Sequence, residues 1–212
     1  MNNEIIKGIH VLTDRDIVKP RSLIEVLKMT IEGGATVIQL RDKTSRDDEM
    51  IALGREIQEI LKLTKENIPL IINDRLPVAL ALNAQGIHVG QSDMPAVQVK
   101  KLIRPDMILG VSALNVEQAI KAQDDGADYL GVGPIFSTST KVDADPPIGI
   151  NVLRDIRRSV KIPIIAIGGI SKYNATSVMD HADGIAVISA VLGAKNPFEA
   201  TRELSVIIHT GR

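Results

Sequence analysis

Residues 108–133 read ILGVSALNVEQAIKAQDDGADYLGVG, and they hold one whole unit of the fold. Ile108–Ser112 is a short run, apolar on both faces, as a parallel strand covered on both sides must be. Asn115 stands directly before Val116 and Glu117, where a side-chain oxygen caps a helix. From Val116 to Asp125 the spacing is helical, with Val116, Ala119, Ile120 and Gln123 on one face. Gly126 marks a turn, and Tyr129–Gly133 is a second run like the first. Two parallel strands joined through a helix make a βαβ unit.

The unit recurs in both directions. Further runs are Gly8–Thr13, Ala35–Leu40, Pro69–Asn73, Gly86–Gly90, Pro163–Ile167 and Gly184–Ser189, which brings the strands to eight. Asp47 to Leu63 is helical, with Met50, Ile51, Gly54, Ile57, Ile60 and Leu61 on one face. Ser45 ahead of Asp47 and Asp48, and Asn196–Pro197 ahead of the last helix, are start signals. No Gly/Ser/Pro linker and no charge run divides the chain. The expected architecture is α/β, a (β/α)8 TIM barrel, with residues 1–212 forming one catalytic domain. A doubly wound open sheet is the alternative, disfavoured by eight units without a long connection.

Composition narrows the function. Of 212 residues, 25 are Lys or Arg and 26 are Asp or Glu, a net charge of -1, which argues against a nucleic-acid-coating surface or a polybasic anchor. Cysteine is absent, so disulfides, thiolate catalysis and Cys-ligated metal clusters are excluded. The aromatic residues Tyr129, Tyr173, Phe136 and Phe198 are too few for a base-stacking platform. Met1 to Lys7 lacks the layout of a signal peptide, and no apolar stretch is long enough for a membrane span. The expectation is a cytoplasmic protein with neither nucleic-acid nor membrane partners; a homo-oligomer stays open.

Active sites of this barrel lie at the carboxyl ends of the strands. After the second run come Arg41 and Lys43, two cations suited to phosphate, or else a solvated ion pair with Asp42. The third ends in Asn73 and Asp74, the fourth in Gly90, Gln91, Ser92 and Asp93. Each Asp could be only a helix cap. As a pair on adjacent strand ends they suit Mg2+, which takes one or two carboxylates and completes its shell with substrate phosphate. Ser112, at the fifth end, reads as a hydrogen-bonding group or a cap. After the sixth, Pro134 to Gly149 has no periodicity, carries Ser137 to Lys141, and is expected to be a mobile lid. Gly168–Gly169 and Ile188–Ser189 end the last two runs, where this fold commonly binds phosphate. His10 and His88 lie within strands and read as core or rim residues; His181 and His209 read as structural.

The motifs QLRDK at 39–43, INDR at 72–75, GIHVGQSDMP at 86–95, GVS at 110–112, GADYLGVGPIFSTSTK at 126–141 and AIGGI at 166–170 stand in order along nearly the whole chain. In these the chain resembles the thiamine phosphate synthase (thiamine-phosphate pyrophosphorylase) family. The resemblance implies condensation of a pyrimidinylmethyl diphosphate with a thiazole phosphate, through a pyrimidinylmethyl cation, with release of pyrophosphate. It implies that Gln39, Leu40, Arg41, Asp42, Lys43, Asn73, Ser112 and Lys141 contact the pyrimidine diphosphate. Of these, Arg41, Lys43 and Lys141 would be catalytic through their charge. Asp74 and Asp93 would hold Mg2+, and Thr138, Ser139, Thr140, Gly169, Ile188 and Ser189 would contact the thiazole phosphate. Three positions depart from the family pattern: Ser92 and Asp42, where Glu is common, and Ser139, where Pro is usual. The alternatives are a thiazole-tautomerising isomerase of the same superfamily and a non-catalytic barrel that binds a phosphorylated ligand. Both would be expected to lack part of the charged set that this chain keeps.

Overall fold

A computed structural model describes residues 3–64, 67–138, 140 and 145–210. Eight strands close into a parallel barrel in sequence order: β1 Gly8–Leu12, β2 Val37–Leu40, β3 Leu70–Asn73, β4 Gly86–Val89, β5 Ile108–Ala113, β6 Tyr129–Val132, β7 Ile164–Ile167 and β8 Gly184–Val187. β8 pairs with β1, with Gly8 against Gly184 and Val11 against Val187. The expected TIM barrel is therefore present, and the open sheet is excluded.

Around it run α1 Leu23–Glu32, α2 Asp47–Lys62, α3 Leu76–Ala81, α4 Ala96–Leu102, α5 Val116–Asp124, α6 Gly149–Ser159 and α7 Ala175–Met179. A one-turn helix, α8 Ser189–Leu192, precedes α9 Pro197–Thr210. Among the described residues no helix is long and apolar enough to cross a membrane.

The strands are apolar on both faces because they meet two cores. Ile9, Val11, Ile38, Leu70, Ile72 and Ile87 point outward to the helices. Leu12, Val37, Ile71, Ile108, Tyr129 and Ile165 point inward, closed at the amino end by Ile6 of the turn Asn3–Ile6. Burying each Ile or Leu is worth roughly 1.5–3 kcal/mol, so the two cores hold the strand ends in register.

Helix starts were partly as expected. Asn115 Oδ1 accepts from Gln118 N at 2.9 Å, and Asn196 Oδ1 accepts from Glu199 N at 3.3 Å. Ser45 is not the cap of α2: the cap position is Arg46, and Glu49 reaches back to its N–H at 2.9 Å. Ser45 is occupied with Asp42 instead. On α2 the buried face is Met50, Gly54, Ile57 and Leu61, with Ile51 and Ile60 half-buried. On α5 it is Ala119 and Ala122; Ile120, expected inside, is exposed.

The segment after β6 also differs from expectation. Its two ends are pinned to the barrel. Ile135 N donates to Ile167 O at 2.8 Å and Phe136 N to Gly168 O at 3.0 Å, while Ile148 N donates to Pro134 O at 2.8 Å. Ile135 is buried. A lid from Pro134 to Gly149 is thus too long, because its first three residues and its last two belong to the rim. Ser139 and 141–144, including Lys141, lie outside the described residues.

Candidate active site

At the carboxyl ends of the strands opens a cavity of about 510 Å3. Its wall brings together Gln39, Arg41, Lys43, Asn73, Asp74, Asp93, Ser112, Thr138, Thr140, Gly169, Ile188 and Ser189. Two expected residues are not on it. Leu40 is fully buried in the outer core, where it packs with α2. The side chain of Asp42 is folded into its own loop. Its carboxylate accepts from Ser45 N at 2.9 Å, Thr44 N at 3.0 Å and Ser45 Oγ at 2.8 Å. Burial pushes that carboxyl up, but these donors outweigh it and bring the pKa down to about 2. Asp42 shapes the turn that carries Lys43; it does not face the cavity.

One rim is charged. Thr13, fully buried, fixes Arg41: its Oγ1 donates to Arg41 O and accepts from Arg41 N, both at 2.8 Å. Asp14 Oδ2 lies 3.8 Å from the Arg41 guanidinium. Lys43 Nζ donates to Asp74 Oδ2 at 2.5 Å.

Neither Asp74 nor Asp93 is a helix cap. Asp74 sits at φ 63, in left-handed backbone, with its N–H bound to His88 O at 2.8 Å; the cap position of α3 is Arg75. The cap position of α4 is Pro95, and Asp93 Oδ2 accepts from Gly90 N at 2.7 Å. Left-handed backbone at a non-glycine residue costs of order 1–3 kcal/mol and collects at functional sites. Burial pushes the Asp93 carboxyl above the usual carboxylate range, and the adjoining Asp74 carboxyl adds to this by hydrogen bonding and repulsion. Such a pair favours a cation between its members. Among the described residues no cluster of three or more His, Asp or Glu is gathered for a metal. Two carboxylates with an open remainder fit Mg2+ completed by phosphate and water.

The opposite rim is built mainly of glycine, hydroxyl and apolar residues, with Asp145 at its edge. Gly169, at φ +64, turns under the loop after β6; a side chain there would meet Ser137 O at 2.5 Å and Phe136 Cβ at 2.8 Å. Thr140 Oγ1 lies 2.9 Å from Ser189 Oγ and joins that loop to the start of α8. Arg21 holds the other end of α8 through Ala194 O at 2.9 Å and Leu192 O. The turn and the helix start offer main-chain N–H groups to an anion.

Between the rims the floor is polar, and here reading by strand ends missed residues. His88 Nδ1 lies 2.9 Å from Tyr129 Oη, and its Nε2 lies 2.9 Å from Ser112 Oγ. Gln91 Nε2 donates to Ser112 O at 2.7 Å. His10 lies below, its Nε2 donating to Ile6 O at 2.7 Å. Burial brings both histidines down to about 4, so both are neutral at pH 7; it pushes the Tyr129 phenol up. Room for these rings comes from two glycines. A Cβ on Gly110 would lie 2.2 Å from Tyr129 Cζ, and one on Gly131 2.7 Å from His88 Cε1. A glycine inside a strand marks such a close approach, which is the signal that could have found the pair.

A second cavity, of about 760 Å3, opens at the amino ends of the strands. Its Arg104 is paired with Asn83 and Asp106, and it lies across the barrel from every group above.

The family model for thiamine monophosphate synthase matches residues 9–191. Thiamine-phosphate synthase of Clostridium tetani (strain Massachusetts / E88) is 50% identical over 205 residues, covering 96% of this chain and 97% of the relative. That of Roseiflexus sp. (strain RS-1) is 50% identical over 202 residues, covering 94% and 84%. Among solved structures, thiamine phosphate pyrophosphorylase from Pyrococcus furiosus superposes with a TM-score of 0.88 at 41% identity, covering 99% of this chain and 98% of that one. A Mycobacterium tuberculosis tryptophan synthase chain, at 12% identity and TM-score 0.67, shares the fold alone.

Proposed function

The chain belongs to the thiamine monophosphate synthase family, and from this we infer how its cavity joins two phosphorylated heterocycles. The reaction condenses 4-amino-2-methyl-5-(diphosphooxymethyl)pyrimidine with 4-methyl-5-(2-phosphoethyl)thiazole, giving thiamine phosphate and pyrophosphate. A cytoplasmic setting fits such substrates.

In our reading the charged rim takes the diphosphate. Arg41 and Lys43 bind it, with Asn73 beside them, and Lys141 adds a third positive charge from the loop after β6. Asp74 and Asp93 would hold Mg2+, which when bound neutralises charge on the departing diphosphate. The C–O bond to the methylene carbon breaks, and the diphosphate leaves with the electron pair. The thiazole nitrogen then donates its lone pair to the methylene cation. No proton moves in this step, so it calls for no acid–base pair.

The rim of Gly169 and α8 takes the thiazole phosphate through Gly169, Ile188, Ser189, Thr138, Ser139 and Thr140. Neutral His10 and His88 matter here, because an imidazolium near the forming cation would oppose it. The carrying observation is the Asp74–Asp93 pair, Asp74 in left-handed backbone and the two carboxyls mutually repulsive, beside Lys43 on the rim opposite Gly169. The test mixes the two substrates with Mg2+ and measures pyrophosphate and thiamine phosphate together. A tautomerising isomerase or a non-catalytic binder would release neither.

A further inference from the structure

The turn after β7 is held from behind. Three successive carbonyls, those of Ile167, Gly168 and Gly169, accept from Ile135 N at 2.8 Å, Phe136 N at 3.0 Å and Asn174 Nδ2 at 2.9 Å. The first two donors belong to the loop after β6, and the third is the side chain standing directly before α7. Asn174 occupies the cap position of that helix, yet its side chain caps no helix N–H. It reaches back instead: its Oδ1 accepts from Ser171 N at 2.8 Å while its Nδ2 donates to Gly169 O. Gly168, Gly169 and Ile170 line the cavity, and half-buried Asn174 stands behind them. We propose that Asn174 is a positioning residue, which holds the Gly169 carbonyl away from the cavity and so aims the Ile170 N–H into it, as a donor to the phosphate of the thiazole substrate.

Peptide geometry carries the inference. The peptide joining Gly169 to Ile170 is trans and planar, so its N–H points opposite to its carbonyl. A side chain that fixes the carbonyl on one side therefore fixes the donor on the other. Ile170 is buried, and among the described residues no acceptor is bonded to its N–H. A buried N–H is costly without a partner, and a phosphate oxygen in the cavity supplies one. Gly169, at φ +64, lets the chain take this course at little cost. The two partners also settle which way round the amide lies, because Gly169 O can only accept and Ser171 N can only donate. An aspartate could serve Ser171 but would set an oxygen against Gly169 O. This deepens the reading above and rests on it only for the ligand.

The first arm of the test is kinetic. Asn174→Ala removes both bonds, and Asn174→Asp removes only the one to Gly169 O. Both should raise the KM for thiazole phosphate about five- to tenfold or more, the value of one hydrogen bond, with the KM for the pyrimidine diphosphate unchanged. If Asn174 only secured Ser171 or the start of α7, the Asp variant would match the parent, and the proposal would be overturned. An effect in Asp but none in Ala would be the added charge alone, and would overturn it equally. The second arm reads the donor itself in the parent chain. With 15N-labelled isoleucine, the Ile170 amide signal is assigned by its loss in Ile170→Val. Saturating thiazole phosphate should move that proton downfield, and less so in Asn174→Ala; an unmoved Ile170 amide overturns the proposal. If neither Asn174 variant folds, the shift in the parent decides alone. Product formation with an unmoved amide would sink the proposal and spare the family reaction; a shifted amide without product would do the reverse.

Discussion

Replacing His10 with Asn should make the fold less sensitive to acid. Both buried histidines stand at about 4, against 6.5 when unfolded. Above pH 6.5 neither state binds the proton, and they contribute no pH dependence. As pH falls through 6.5 the unfolded chain takes up protons that the folded barrel refuses, so stability falls until about pH 4. Between pH 7 and pH 4.5 the linkage relation gives a loss of roughly 2 kcal/mol for each histidine. The parent should therefore lose roughly 4–5 kcal/mol from this pair, beside whatever its carboxylates contribute. His10→Asn removes one of the two groups, and its loss should be smaller by roughly 2 kcal/mol. The variant forfeits the bond to Ile6 O and starts from a lower stability, so the quantity to compare is the change with pH. Urea unfolding at pH 7 and pH 4.5 supplies it for both proteins. Parallel losses would refute the argument and mean that His10 titrates normally within the barrel.

Three further outcomes follow from the rims. Asp74→Asn and Asp93→Asn should each lower pyrophosphate release about a hundredfold while the fold survives, since Asn tolerates the left-handed backbone at position 74; full activity in excess chelator would refute the metal role. Lys141→Ala should slow single-turnover chemistry by about two orders of magnitude and leave thiazole phosphate binding unchanged; an unchanged single-turnover rate would remove Lys141 from the chemistry. Gly169→Val should raise the KM for thiazole phosphate and lower Tm by roughly 4 °C or more, because its Cβ collides with Ser137 and Phe136 as well as blocking the anion; normal thiazole phosphate binding would show that Gly169 is not at that site.

The strands were legible because burial on both faces leaves short Ile/Val runs bounded by turns, and all eight appear where those runs stand. Their ends located the charged rim for the same reason. What single positions could not show was which neighbour a side chain would choose. Asp42, Asp74 and Asp93 look alike in sequence. One is consumed by Thr44 and Ser45 two and three residues on, a local pattern already written in DKTS. The other two turn from capping only because their backbones place them so, at φ 63 for Asp74 and against Gly90 for Asp93. The His88–Tyr129 contact spans 41 positions and depends on the inward register of β4, β5 and β6. No local pattern carries that, though the glycines that make room for it stand in plain view in the motifs GVS and YLGVG.

In the reaction proposed above, the distribution of charge would let one cavity serve a departing anion and a transient cation. Among the described residues of the cavity wall the positive side chains stand on the rim of β2, where Thr13 and Asp14 fix Arg41 and where Lys43 is tied to Asp74. The floor below contains two imidazoles that burial keeps neutral, and a phenol that burial keeps protonated. An ordinary exposed histidine would be partly charged at neutral pH, and its field would fall on the methylene carbon as positive charge develops there. Burial of the two histidines therefore costs the fold acid tolerance and removes repulsion from the reacting centre. The same desolvation that the urea experiment would read as a stability loss is, in this account, a condition of the chemistry.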